Sequence, residues 1–223
     1  MLDRQHLPVE RTAELLGDVL AAPVSAGWLC NLQAEAAGKL APFLAEIKGR
    51  LAAEPVICAD ETGTRVGNAK QWVHTVATGL LTPLVVHPKR KVEAMRDIGI
   101  FEHYTGTIVH DGLAAYDTYS TAGHAQRKAF NLATRIRNNQ DQVLRLLGDT
   151  RIPFTNDDAE RSLRMVKIHD KISGTFQSAE GAARFAAVRS YLQTADAHGH
   201  NLLDACRQLF TTGPWIPPPA VIT

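Results

Sequence analysis

The sequence predicts an α/β protein in which helices flank a mixed β-sheet. Three observations lead to this prediction. Apolar residues follow helical spacing through the first 52 residues, and three strand-like runs then follow one another without a helix between them. A short helix, a fourth strand and several longer helices complete the chain. A meander of three strands followed by a helix and a further strand is typical of a mixed sheet flanked by helices.

The composition excludes several classes of protein. With 223 residues, of which 45% are hydrophobic and 21% charged, the chain resembles a folded domain rather than a disordered or coiled-coil protein. No run approaches the roughly 20 apolar residues that span a bilayer, and the N-terminus lacks a signal-peptide core, so we expect a cytoplasmic protein without membrane contact. Three cysteines without a C-x-x-C pair argue against a disulfide framework and a structural zinc site. Because the net charge is only +1, a nucleic-acid surface would have to be local.

The N-terminal segment, residues 1–53, is predicted to be helical. The spacing predicts a helix that reaches Leu20, a short helix over residues 26–32 with Ser25 as its N-cap, and a longer one over residues 34–52. Four apolar residues of the last helix share one face: Leu40, Phe43, Leu44 and Ile47. Two interpretations are open. The order of helix, turn and helix in this segment could form a DNA-binding motif. Alternatively, the segment could be a collar that packs against the rest of the protein.

Four strands are predicted in the middle of the chain. The runs cover residues 55–60, 71–77, 84–87 and 107–111. Residues 61–63 are expected to form a turn, and Gly79 between the second and third runs indicates a hairpin. A helix is expected over residues 92–98, and another is expected to begin at Leu113.

Helices dominate the C-terminal half. They are predicted over residues 127–147, from a cap at Thr155 or Asn156 through Lys167, over 179–197 and over 202–210. Residues 213–223 read as an irregular tail. Trp28, Trp72 and Trp215 are interpreted as core or tail anchors rather than base-stacking platforms, and His110 as a structural residue.

Three acidic residues are candidates for a metal site. Asp60 and Asp111 end predicted buried strands, where a carboxylate is costly unless it is paired or binds a metal. A divalent cation would relieve their mutual repulsion, and Mg²⁺ prefers carboxylate ligands. Glu160 lies in the first turn of a capped helix, where the helix dipole favours an anion. Singly, each residue has a structural explanation, such as capping a turn. Together, in this element order, the three are more specific.

Basic residues follow Glu160 along the same helix. Arg164, Lys167 and Lys171 recur at helical spacing on the face of Glu160, and Arg161 lies beside them. One interpretation is a salt bridge from Glu160 to Arg164 on an otherwise solvated face. The other is a cationic stripe that holds a DNA phosphate backbone against the metal site.

Several separated blocks resemble the DDE transposases of the insertion sequence 66 group. The blocks are Asp60-Glu61-Thr62-Gly63, His87-Pro88-Lys89-Arg90, Val109-His110-Asp111-Gly112 with Tyr116, and the run 154–165 with its continuation to Leu192. They stand in the family's order, and the resemblance extends from about His6 to Phe210.

The resemblance implies a ribonuclease-H-like fold with Asp60, Asp111 and Glu160 as the catalytic and metal-binding residues. Two Mg²⁺ or Mn²⁺ ions are implied, with cleavage at the ends of an insertion sequence and transfer of the freed strand to target DNA. Arg164 and Lys167 would position phosphate groups. A nucleoid-associated cytoplasmic location is expected, and a homo-oligomer is left open.

Two departures from the family are visible. The zinc-binding segment that precedes the corresponding first residue in the family is missing, which implies a truncated N-terminus. The stretch between Asp111 and Glu160 is short, and a deletion near residues 124–128 would remove most of a fifth strand and the helices after it. The catalytic domain is then expected over residues 54–212. The chain is either an active transposase or an inactive remnant that still binds DNA or a full-length copy. A general ribonuclease-H-like nuclease is a third reading.

Overall fold

The computed structural model describes residues 2–119, 123–126, 145, 148–153 and 155–219. The helices of this part are α1 (Leu2–Gln5), α2 (Val9–Leu20), α3 (Ala26–Lys39), α4 (Ala41–Ala53), α5 (Val92–Ile98), α6 (Asp157–Ile172), α7 (Ala179–Ala197) and α8 (Leu202–Thr211). The strands are β1 (Val56–Val66), β2 (Ala69–Ala77), β3 (Leu84–His87), β4 (Thr107–His110) and β5 (Gly123–Gln126). The helix expected over residues 127–147 lies outside the described residues, apart from residue 145.

The strands form one mixed sheet in the order β3-β2-β1-β4-β5. β2 pairs antiparallel with both β1 and β3, as a meander requires, and the turn between β2 and β3 contains the expected Gly79. β4 pairs parallel with β1, and β5 pairs parallel with β4. The predicted mixed sheet flanked by helices is therefore confirmed.

The turn expected at residues 61–63 is wrong. β1 continues through these residues to Val66, and the chain reverses at Gly67, whose φ is 55°. The reason is the alternation of Thr62, Thr64 and Val66, which are all buried on one face of the strand. Glycine and threonine after an acidic pair resembled a turn, but Gly63 pairs across the hairpin with Trp72.

The expected loss of most of the fifth strand is also wrong. β5 pairs with β4 over all four of its residues, from Thr107↔Gly123 to His110↔Gln126. Since β4 itself has four residues, its edge is paired along its full length. The short stretch between the second and third acidic residues therefore retains this strand.

The N-terminal helices differ from the prediction in one boundary. The Ser25 cap is confirmed, because its Oγ accepts a hydrogen bond of 3.0 Å from the backbone N–H of Trp28. The break that was expected near residue 33 falls at Leu40 instead, and the next helix begins at Ala41 with Pro42 in its first turn. Proline fits the first turn of a helix because that position needs no backbone donor.

The later helices follow the prediction with two exceptions. α5 and α7 have the predicted bounds, and α8 ends one residue later than expected. α6 runs to Ile172 rather than to Lys167, and Gly174 with φ 77° follows its end. The helix expected from Leu113 is only a single 3₁₀ turn, Tyr116–Thr118.

The core lies on both faces of the sheet and includes the N-terminal helices. Ile57 and Ala59, on one face of β1, belong to a large buried cluster with Phe43 of α4 and Tyr191 of α7. The rings of Phe43 and Tyr191 meet edge to face at 5.0 Å. Val66, on the other face, packs in a second cluster that includes α6 residues. The buried face of α4 therefore packs as a collar against the sheet domain.

Candidate active site

Parallel pairing brings Asp60 and Asp111 together. Cys58 of β1 pairs with Val109 of β4, and each aspartate lies two residues further along its chain. Because the strands run in the same direction, the two carboxylates reach the same level of the sheet. One oxygen each of Asp60, Glu61 and Asp111 lies within 4.8 Å of the others, and this is the one such group of potential metal ligands among the described residues.

Glu160 stands beside this group rather than within it. Its side chain is exposed in the first turn of α6 and is not among the residues that meet within 4.8 Å. Its charge nevertheless contributes to raising the pKa of Asp60. The structure thus brings two of the three predicted acids into direct proximity and places the third near Asp60.

The start of α6 is tied to β1 next to Asp60. Asn156, at the N-cap position, makes no capping hydrogen bond with its side chain. Its Nδ2 instead donates to the backbone oxygen of Ala59 at 3.1 Å, and this amide is buried. Ala159 and Leu163 of the same helix are buried as well. One side-chain hydrogen bond therefore fixes the beginning of the helix that carries Glu160 against the strand that carries Asp60.

Burial and neighbouring negative charges both shift the pKa of Asp60. The pKa of Asp60 is raised from 3.8 to about 6, chiefly by burial, with smaller contributions from the charges of Asp111 and Glu160. Two effects oppose this shift: the Glu61 N–H donates to Oδ1 of Asp60 at 2.8 Å, and Lys167 is close enough to favour the carboxylate. Desolvated, mutually repelling carboxylates are common at functional sites.

Glu61 is a site residue that the sequence interpretation missed. Its side chain is 1% exposed, and its Oε1 accepts two hydrogen bonds from Arg90, at 2.8 and 3.0 Å. The hydroxyl of Tyr116 donates to Oε2 at 3.1 Å. Burial raises the pKa of Glu61, and Arg90 opposes this effect. The available signal was the alternation of residues 62–66, which continues the strand through position 61.

His110 has the structural surroundings expected for it. It is fully buried, its Nδ1 accepts from the Gly112 N–H at 3.1 Å, and its ring packs on Tyr116 with centroids 4.8 Å apart. These contacts hold the chain where it turns past Asp111.

The predicted cationic stripe is present as an exposed row on α6. Its members are Arg161, Arg164, Lys167 and Lys171, and all four side chains are exposed. Glu160 and Arg164 do not form the salt bridge that was the alternative interpretation, since no pair between them falls within 4.0 Å in the described part of the chain. The row is therefore not neutralised from within the helix by Glu160.

The fold and the acidic group define the class of protein. The sheet consists of a three-stranded antiparallel meander, followed by β4 in parallel next to β1 and β5 in parallel next to β4. With carboxylates on β1 and after β4, this is the arrangement of a ribonuclease-H-like domain. The chain belongs to the Transposase IS66 family, whose sequence model matches residues 4–129 and 120–184. The resemblance seen in the motifs is thereby confirmed.

Other comparisons add little to this assignment. A crystal structure of the catalytic domain of Mos1 mariner transposase is similar at 12% identity, over 75% of this chain and 94% of that chain, with a TM-score of 0.27. No curated protein matches the chain. Among the described helices, none is both long and apolar enough to cross a membrane.

Proposed function

We propose that this transposase is catalytically competent and that residues 54–212 form its catalytic domain, which cleaves DNA strands and transfers them by metal-dependent phosphoryl transfer. The proposal rests above all on one observation. Carboxylates from β1 and from the end of β4 converge within 4.8 Å, with the start of α6 anchored beside them. Membership of a transposase family implies DNA as the partner, and the ends of the element and the target DNA are the proposed substrates.

The acidic group fits divalent metal ions. All of its donors are carboxylate oxygens, which suit Mg²⁺ and Mn²⁺ rather than softer metals. Burial, and to a smaller extent the charges of Asp111 and Glu160, raise the pKa of Asp60, and a bound cation would oppose these effects. Asp60, Asp111 and Glu160 would hold two ions, with Glu61 adjacent. Bound there, the ions would supply activation of the attacking oxygen and stabilisation of the leaving oxygen.

The protein's own residues would orient the DNA. Arg161, Arg164, Lys167 and Lys171 form an exposed row that begins at Glu160, so a phosphate backbone bound along it would lead to the acidic group. Lys167 already acts electrostatically on Asp60. These cations would position the strand, whereas the carboxylates would act at the reacting phosphate.

A second candidate is an inactive remnant that binds DNA or a full-length copy. The observation that favours it is the match to the family, which comes in two pieces that overlap at residues 120–129. This is the region in which the sequence indicates an internal deletion. The two candidates differ in whether the carboxylates still bind metal.

Metal binding separates the two candidates. We expect Mn²⁺ to raise the Tm of the wild-type chain at pH 7.5, because a ligand that binds only the folded state stabilises it. Asp60→Asn should abolish this increase, whereas Asp18→Asn, which alters an exposed carboxylate on α2, should retain it. Calorimetric titration with Mn²⁺ should show heat of binding for the wild type and for Asp18→Asn, but not for Asp60→Asn. Absence of both signals in the wild type would favour the remnant.

The same experiment should depend on pH in a defined direction. The pKa of Asp60 is about 6 in the folded protein against 3.8 ordinarily, so metal must displace a proton below pH 6, and the Mn²⁺-induced increase in Tm should be smaller at pH 5 than at pH 7.5.

Without metal, the raised pKa stabilises the folded state at low pH, and this contribution is lost as the pH rises from about 4 through 6. Asp60→Asn should therefore make the metal-free protein more stable at pH 7.5, by about 1 kcal/mol after allowance for partial exposure.

Asn156→Ala tests the attachment of α6. We expect a loss of about 1–3 kcal/mol in stability, since the carbonyl of Ala59 loses its buried donor, and a fall in strand cleavage of up to about 100-fold as Glu160 loses its position. Urea unfolding and a cleavage assay measure the two effects.

The matched control for Asn156 is Asn201→Ala. Asn201 caps α8 with hydrogen bonds to the backbone N–H groups of Leu203 and Asp204. Its loss should cost about 1 kcal/mol of stability without a decrease in cleavage. Normal cleavage by Asn156→Ala would show that this hydrogen bond stabilises the fold without positioning Glu160.

A further inference from the structure

An aromatic side chain with two cations against its ring lies next to the acidic group. Nζ of Lys70 is 4.5 Å from the ring centroid of Trp72, and the guanidinium carbon of Arg90 is 4.7 Å from it. The ring is only half-buried, so the expectation of a core anchor was wrong for Trp72. It is also wrong for Trp28, which is 50% exposed.

The Trp72 ring lies beside Gly63 of the neighbouring strand β1. Gly63 is the cross-strand partner of Trp72, and a Cβ at this position would lie 3.9 Å from Cζ3 of the ring and 3.5 Å from Cε of Lys70. The Trp72 ring and the Lys70 side chain thus lie over Gly63, at van der Waals distance from the position of a Cβ. The result is a broad, open surface on the face of the hairpin that also carries Glu61.

Positive charge on this surface is in excess. Arg65 of β1 pairs in register with Lys70 of β2, so the two cations lie side by side, and both are exposed. Within the described residues, neither forms a salt bridge with an acidic group. Like charges directly opposite each other in a sheet are destabilising, so the fold gains nothing from this pair unless an anion binds. Arg65, Lys70, Trp72 and Arg90 are called the Trp72 patch below.

The Trp72 patch is continuous with the acidic group. Arg90 packs against the ring of Trp72 and hydrogen-bonds Glu61, which lies within 4.8 Å of Asp60 and Asp111. A chain of direct contacts therefore leads from the tryptophan to the carboxylates. This patch is separate from the cationic row on α6, because α6 packs on the face of the sheet that carries Val66 and Val73, and Trp72 lies on the opposite face.

We propose that the Trp72 patch binds an unpaired stretch of the DNA strand beside the phosphate that reacts. One base stacks on the Trp72 ring, and Lys70 and Arg65 neutralise the neighbouring phosphates. Stacking on an aromatic ring accepts any base, and cations along the strand supply affinity that depends on salt. This inference rests on the proposed function and extends it, since it implies that the substrate is opened next to the cleavage position.

Binding of a labelled oligothymidylate to the full chain tests the proposal. Fluorescence anisotropy is measured in EDTA, so that no strand is cut. Trp72→Leu should weaken binding by about 10-fold, whereas Trp72→Phe should retain most of the affinity, because stacking needs a ring. Trp28→Leu is the matched control, since Trp28 is exposed on α3, and it should bind like the wild type. Affinity for a blunt duplex should be the same in all four proteins.

Several outcomes would overturn the inference: equal single-strand affinity of Trp72→Leu and the wild type, no single-strand binding by the wild type, or tighter binding of the corresponding RNA. Circular dichroism and Tm verify that each variant folds. The Mn²⁺-induced change in Tm is measured in parallel. If Mn²⁺ still raises the Tm but Trp72→Leu binds the single strand like the wild type, only the proposed role of the Trp72 patch is contradicted. If strand binding depends on Trp72 but Mn²⁺ does not change the Tm, only the proposed catalytic function is contradicted.

Discussion

Asp111→Asn is expected to lower the rate of DNA strand cleavage by at least about 1,000-fold. Asparagine has the same shape but removes one negative charge from the group formed with Asp60 and Glu61. Metal-assisted stabilisation of a phosphoryl transition state is worth several kcal/mol, and about 4 kcal/mol corresponds to about 1,000-fold in rate. The measurement is nicking of a supercoiled plasmid that carries the element's own ends, in Mg²⁺ and in Mn²⁺.

Two further variants sharpen this experiment. Glu160→Gln should reduce cleavage to a similar degree, even though Glu160 lies outside the group of three, because its charge already acts on Asp60. Asp18→Asn should cleave at the wild-type rate. Undiminished cleavage by Asp111→Asn would contradict the assignment of the site, provided that the purified wild type is free of contaminating nuclease.

Leu51→Ala should have the largest effect on stability, about 2–5 kcal/mol. Leu51 is completely buried in α4, in the cluster that α4 shares with β1 and α7. Truncation removes apolar contacts and leaves a cavity. Against a typical total of 5–15 kcal/mol, this loss is severe. Urea unfolding at 25 °C measures it, and a single transition would show that the N-terminal helices unfold with the sheet.

Leu203→Ala is the matched control, because Leu203 is 68% exposed on α8. The same truncation there should change stability by less than about 0.5 kcal/mol. Similar effects for both variants, or a separate early transition in Leu51→Ala, would mean that the N-terminal segment folds independently of the catalytic domain. In that case α4 would not be part of the core.

Short-range patterns in the sequence were sufficient to predict much of the fold. α5 and α7 have the predicted bounds, and for α7 a Ser178 side chain that accepts from the Gly181 N–H explains the sharp start. β3 was predicted with its observed bounds for a similar reason, since Gly79 and Pro83 mark its beginning. Asp60 and Asp111 were identified because a carboxylate that follows an apolar strand is costly without a partner.

Information on long-range contacts was missing from the sequence. The role of Glu61 depends on Arg90 and Tyr116, which are distant in the chain and come together only when the sheet forms. The position of Glu160 depends on the hydrogen bond from Asn156 to Ala59. Periodicity describes a residue's own element, so neither contact could be derived from it. The strand β5 was missed because the resemblance to the family suggested a deletion, whereas pairing with β4 required only four residues.

The hydrogen bond between Asn156 and Ala59 has a consequence for how this protein can change over time. It attaches the beginning of α6, the helix that carries Glu160, to β1, so the position of this helix does not depend on the length of the polypeptide between Asp111 and Asn156 alone. Loop-closure entropy varies only slowly with length. Insertions and deletions in that interval should therefore be tolerated among relatives, as long as the asparagine and the carbonyl it contacts are preserved.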